Sequence, residues 1–121
     1  MSRVVLAVAV ALGLLGAAAG EARAPARLMV SAQKHSLVLS RQTLVAGPAL
    51  IQLLNRGQDP HDLKLRRSGG AHGVVSMPET RPGGLAEAAV RLRPGRYRLW
   101  CSLPGHRALG MHAKLRVRRV R

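Results

Sequence analysis

Beyond residue 25 the chain has no long stretch in which apolar residues recur at helical spacing. It has short alternating or wholly apolar runs, punctuated by Gly, Pro, Asn and Ser, the signature of half-buried strands and their turns. The pattern predicts strands over Arg27–Ala32, Ser36–Ser40, Ala49–Leu54, His61–Arg66, Ala86–Leu92, Arg96–Cys101 and His112–Val120. Gly47-Pro48 precedes the third of these, Asn55-Arg56-Gly57 ends it, and Pro94-Gly95 marks a further turn. The Gly- and Pro-rich segment 67–84 reads as a long loop with room for one helical turn. This spacing predicts an all-β fold over 27–121, an antiparallel Greek-key sandwich or barrel of about seven to eight strands.

Alternation also assigns faces. Tyr97, Leu99 and Cys101 share one side of their strand, and Arg96, Arg98 and Trp100 the other. In the last strand Ala113, Leu115 and Val117 oppose Lys114, Arg116 and Arg118. The Arg-bearing side is expected to face solvent, with Trp100 stacked under Arg98 or Arg116. Tyr97, just after the Pro94-Gly95 turn, is similar to a tyrosine corner, a hydrogen bond that stabilises Greek-key sandwiches.

The N-terminus differs. Arg3 is followed by a small and apolar run from Val4 to Gly20, with Ala17-Ala18-Ala19 as an A-x-A cleavage site and Ala22-Arg23-Ala24 as a second, less suited because Pro25 follows it. These are the parts of a secretory signal. The run is slightly short for a membrane-spanning helix, so the expectation is an apolar signal helix over 1–19 that is removed, an uncleaved anchor being the alternative. A short linker over 20–26 follows. Export places the protein in the periplasm or outside the cell.

Composition then sharpens the picture. The 121 residues include 20 Lys+Arg, mostly Arg, against 5 Asp+Glu, a net charge of +15. Hydrophobic residues at 47% exclude a disordered basic tail. With no Phe, the core must be built from Leu, Val and Ala. Such a charge suggests a nucleic-acid binder, but an exported protein rarely meets genomic nucleic acid. Residues 91–121 hold ten Lys/Arg and no Asp/Glu. The charge is therefore expected to form a basic face that steers an acidic partner or an anionic envelope surface.

One Cys excludes an intrachain disulfide framework, and a lone thiol in an oxidising compartment needs a task. Cys101 stands in YRLWCSLPGHRALGMH, spaced Cys-x4-His-x4-Met with His106 and Met111. Thiolate, imidazole and thioether form a soft donor set, and two His, one Cys and a weak axial Met describe an electron-transfer copper site. The second His must come from elsewhere, and NRGQDPHDL supplies His61 just after a turn.

In Asn55–Leu63 and Tyr97–Met111 the chain resembles the cupredoxins, the plastocyanin- and azurin-like blue copper proteins. The resemblance runs from about Arg27 to the end, and Pro104-Gly105 before the second His is similar to the azurin and auracyanin form of the loop. It implies one type 1 copper ion held by His61, Cys101, His106 and axial Met111. It also implies that Leu103, Pro104 and Leu109 surround the edge of His106 and dock a partner. Asp62 stands where the family often has Asn. A carboxylate there can accept from the Ser102 hydroxyl or a backbone N–H, but its charge beside a copper thiolate leaves the potential open.

The reading is a monomeric, exported blue copper electron carrier with an acidic redox partner, and no substrate chemistry. A Cys-His pair can form a nucleophile, but here both residues share one loop with a Met and carboxylates are scarce. The alternatives are a copper chaperone or storage protein, and a basic polyanion-binding module on the same scaffold; association with membranes through the N-terminal segment or an anionic surface fits the same features. His35, His72 and His112 are spare. A second copper site at His72 and Met77 is the less favoured reading of two residues expected to be exposed in the long loop.

Overall fold

The computed structural model describes residues 23–70 and 72–121. The expected signal over 1–19 and the first linker residues lie outside the described residues. Nine strands follow one another: β1 Ala26–Gln33, β2 Ser36–Leu39, β3 Thr43–Val45, β4 Gly47–Asn55, β5 His61–Arg67, β6 Val74–Thr80, β7 Leu85–Leu92, β8 Gly95–Trp100 and β9 His112–Arg118. They form a four-stranded sheet, β2-β1-β4-β7, and a five-stranded sheet, β3-β9-β8-β5-β6. There is no helix among the described residues.

Alternation builds the core as expected. Leu28, Val30, Ala32, Ala49, Ile51 and Leu53 point inward from one sheet. Leu63, Leu65, Tyr97, Leu99, Leu115 and Val117 meet them from the other. With no Phe available, branched aliphatic side chains fill the space between the sheets. Arg96, Arg98, Lys114, Arg116 and Arg118 are exposed on the outer face of the five-stranded sheet.

The structure corrects four expectations. The segment 67–84 is not simply a loop, because β6 lies within it and pairs antiparallel with β5. It is an edge strand, so it tolerates Pro78 and buries little, which hid it from a pattern search. Met77, expected to be exposed, is buried at 3% opposite Leu63. Nor is the sandwich purely antiparallel: β1 pairs with β4, and the short β3 with β9, in parallel. Finally, Trp100 lies beneath Arg66 and Arg107, not Arg98 or Arg116. Arg66 belongs to the neighbouring strand and Arg107 to the following loop, contacts that depend on tertiary placement.

The tyrosine corner is present. The Tyr97 hydroxyl donates to the Arg93 carbonyl at 2.8 Å and accepts from the Arg93 N–H at 2.9 Å. It clamps the β7–β8 turn and so sets where β8 begins, six residues before Cys101. Tyr97→Phe keeps the buried ring but removes both bonds. The expected result, read by denaturant unfolding, is a loss of about 1–2 kcal/mol of stability with the far-ultraviolet spectrum unchanged.

Candidate metal centre

Each candidate residue is placed by a local device. β4 ends at Asn55, which is fully buried. Its Nδ2 donates to the carbonyls of Asp59 at 2.8 Å and Thr80 at 2.9 Å, and its Oδ1 accepts from the Gly57 N–H at 2.8 Å. Its backbone N–H and carbonyl bond Gly84 and Gly83 across the β6–β7 turn. Asn55 thereby shapes the turn that delivers His61. A Cβ at Gly57 would lie 2.9 Å from His61 Nε2, so a residue without a side chain is needed above that ring.

The register between β5 and β6 shifts between His61 and Leu63. This bulge breaks alternation, and His61, Asp62 and Leu63 are all buried in succession. A bulge re-aims side chains in this way. His61 faces the site from the first residue of β5, and Asp62 beside it also turns inward.

The second segment is the loop between β8 and β9. It closes on itself through Cys101 N–H to Met111 O at 3.1 Å and Met111 N–H to His106 O at 3.0 Å. Its tight path uses Gly105 and Gly110 at positive φ. At Gly110 a Cβ would meet the His35 carbonyl at 2.6 Å, so the β1–β2 turn packs directly against the end of this loop.

Together these devices bring three donors to one point. His61 Nδ1 lies 3.3 Å from His106 Nδ1, and Cys101 Sγ lies 3.5 Å from His106 Nδ1. The three donor atoms all lie within 4.8 Å of one another. The two rings meet edge to face, 62° apart. Cys101 and His61 are buried, and His106 is partly exposed at the molecular surface. Met111 is fully buried at the closing end of the same loop.

Asp62 locks the two segments together. Its Oδ1 accepts from the Ser102 N–H at 2.6 Å, and its other oxygen accepts from the Ser102 hydroxyl. Both types of bond anticipated for a carboxylate at this position are made.

The electrostatics suit a cation. Burial, then the neighbouring His106, pulls His61 below its ordinary pKa, against the pull of Asp59 and Asp62. Burial pushes the Cys101 thiol up, while the backbone N–H groups of Asp62 and Leu103 favour the thiolate. His61 Nε2 is buried without a hydrogen-bond partner. Two imidazole nitrogens and a sulfur thus converge on one point, with His61 and Cys101 buried beside the partly exposed His106. Such a donor set fits a soft, thiophilic metal, and one copper ion is compatible with it.

The other candidates do not join this cluster. Met77 packs in the core, His112 is exposed, and His35 occupies the β1–β2 turn at φ 63°. The structural part played by Asn55 and the bulge at Asp62 are not legible in the sequence. The only signal for the first was a polar residue ending an apolar run; for the second there was none.

No family model matches the sequence, and no curated protein matches it. Solved structures do match. Auracyanin A, a "blue" copper protein from Chloroflexus aurantiacus, superposes with a TM-score of 0.63 at 18% identity, over 78% of this chain and 99% of that one. Dithionite-reduced auracyanin from Roseiflexus castenholzii gives 0.61 at 14% identity, over 78% and 98%. An oxidised amicyanin variant gives 0.54 at 16% identity, over 74% and 80%. The fold is the cupredoxin-like β-sandwich that the sequence resemblance implied.

If Asn55 organises the His61 turn, Asn55→Ala strands the buried Thr80 carbonyl and, part-buried, the Asp59 carbonyl and the Gly57 N–H. Unfolding by urea should then show a loss of about 3 kcal/mol, well above the cost of shortening an exposed residue of β4.

Proposed function

We propose that this chain is an exported mononuclear type 1 copper protein that carries single electrons. Bound copper supplies the redox chemistry, cycling between Cu(II) and Cu(I). The observation that carries the reading is the convergence of His61 Nδ1, Cys101 Sγ and His106 Nδ1 within 4.8 Å, with Met111 buried on the loop that bears two of them. In this reading His61, Cys101 and His106 would hold the copper, with Met111 as a weaker fourth donor.

The protein's part is to hold these donors still. Electron transfer is fast when the ligand positions suit both oxidation states, and a soft thiolate with two imidazoles does so. The Asp62–Ser102 bonds and the Asn55 turn resist rearrangement of the two segments. Burial of Cys101 and His61 keeps water from the sulfur and disfavours a metal-exchanging chaperone, whose ligands must be reachable.

The domain spans 27–121 and follows a signal over 1–19 that delivers it to the periplasm or the cell exterior. His106 is the ligand nearest solvent. Leu103, Pro104, Ala108 and the 58% exposed Leu109 belong to its loop and offer an apolar docking end for a redox partner. The basic sheet face beside it favours a partner with an acidic surface, met by a monomer of this chain.

Two measurements test this. Cu(II) added to the purified protein should raise an intense visible thiolate-to-copper band, and Cys101→Ser should abolish it; a pale, weakly absorbing complex would sink the carrier reading. Electron exchange with an acidic partner should slow about tenfold or more between low salt and ~0.5 M salt, because screening removes steering.

A further inference from the structure

A second feature lies outside the metal centre, on the outer side of the five-stranded sheet. Arg66 and Arg67 from β5, Arg98 from β8 and Arg107 from the β8–β9 loop line a cleft of about 340 Å³, rimmed by Ser68, Gly69 and Gly70. No acidic side chain lines it, nor the adjoining cleft where Arg98, Arg107 and Lys114 flank Trp100. Two carboxylates elsewhere are already engaged: Asp62 with Ser102, and Glu87 with Gln52 Nε2.

The guanidiniums of Arg66, Arg98 and Arg107 crowd the outer face without a carboxylate among them; they repel one another and stay charged at every accessible pH. Exposed arginines without a task splay into solvent, yet two of these are held. The Arg66 and Arg107 Cζ atoms lie 5.7 and 4.9 Å from the centre of the Trp100 ring. Arg67 contributes its backbone side to the rim, while its Nε lies on the other face of the sheet, where a Cβ on Gly95 would sit 2.6 Å away. The rim is open as well: Gly69 and Gly70 both take left-handed φ, near 80°, and a Cβ at Gly69 would meet nothing within 4 Å. A bound oxyanion can therefore approach the backbone.

The geometry points to a binding site for a phosphate group in this arginine cleft. A guanidinium forks onto pairs of oxygens, and a phosphate presents three acceptor oxygens and up to two charges to several forks at once. A single carboxylate has one oxygen pair and one charge, and leaves most of the cluster uncompensated. The phosphate can be free, or carried as a monoester on a small molecule or a lipid headgroup. None of the four arginines is a proposed metal ligand, so the site stands apart from the copper reading.

Trp100 is the chain's one Trp and reports on the cleft directly. The purified protein is titrated with inorganic phosphate at constant ionic strength set by chloride, following Trp100 emission and, independently, heat by calorimetry. A saturable response that chloride does not reproduce is expected. Arg107→Gln should raise the half-saturating concentration at least tenfold. Arg98→Gln, which does not stack on the ring, should do the same by calorimetry. Arg27→Gln, on the outer face of the other sheet, should change it less than twofold. Sedimentation with phosphatidylcholine vesicles, with and without phosphatidic acid, separates the sources. Capture by phosphatidic acid that Arg98→Gln abolishes assigns a lipid headgroup; phosphate binding without capture assigns a soluble phosphate. No saturable response to phosphate, or equal weakening by Arg27→Gln, overturns the site.

Discussion

The carboxylate of Asp62 gripping Ser102 is the constraint on which the site depends. The bonds join residues 40 positions apart in the chain, one beside His61 and the other beside Cys101. Without that tie the two donor-bearing segments are separate loops at one end of a sandwich. Each would be free to relax, and the donor atoms of His61, Cys101 and His106 would part. The tie exists because the bulge between His61 and Leu63 turns Asp62 inward. One irregularity in one strand pair thus sets both the direction of a ligand and the means of holding its partner loop.

The rest of the scaffold reinforces that tie from below. Asn55 fixes the turn before His61 through three side-chain hydrogen bonds, and Gly110 lets the β1–β2 turn press against the loop that ends in Met111. Tyr97 anchors the strand that ends at Cys101. Beneath lies a core of aliphatic side chains between two sheets, dense enough to transmit positional restraint to the loops above it. Rigidity here is built from small, directional contacts at strand ends, on a core that needs no aromatic beyond Tyr97.

The surface divides the chemistry. Strand alternation drives Leu99, Leu115 and Val117 inward and, by the same geometry, drives Arg98, Lys114, Arg116 and Arg118 outward. The basic face is therefore the unavoidable reverse of the core pattern on β8 and β9. The loop around His106 breaks that alternation and exposes Leu109 and Pro104 instead. A charged flank next to an apolar end suits long-range attraction followed by close, water-excluding contact. Arg107 sits at the boundary, one residue from His106 and stacked on Trp100, so the two surfaces meet at a single side chain.

By itself the sequence determined the all-β class, the positions of most strands, the inward face of β8 and β9, and the grouping of Cys101, His106 and Met111 on one loop. These are local: they follow from a period of two and from close spacing along the chain. The edge strand β6 was illegible because its place is set by pairing with β5 rather than by burial, so its composition of Pro, Ser and Glu carried no strand signal. The parallel pairings, the arginines over Trp100, the buried place of Met77 and the bulge at Asp62 likewise waited for the tertiary structure. That His61 Nδ1 meets His106 Nδ1 at 3.3 Å was decided only there, because such a contact joins residues 45 apart, and no local rule of propensity or periodicity measures distance across a folded chain.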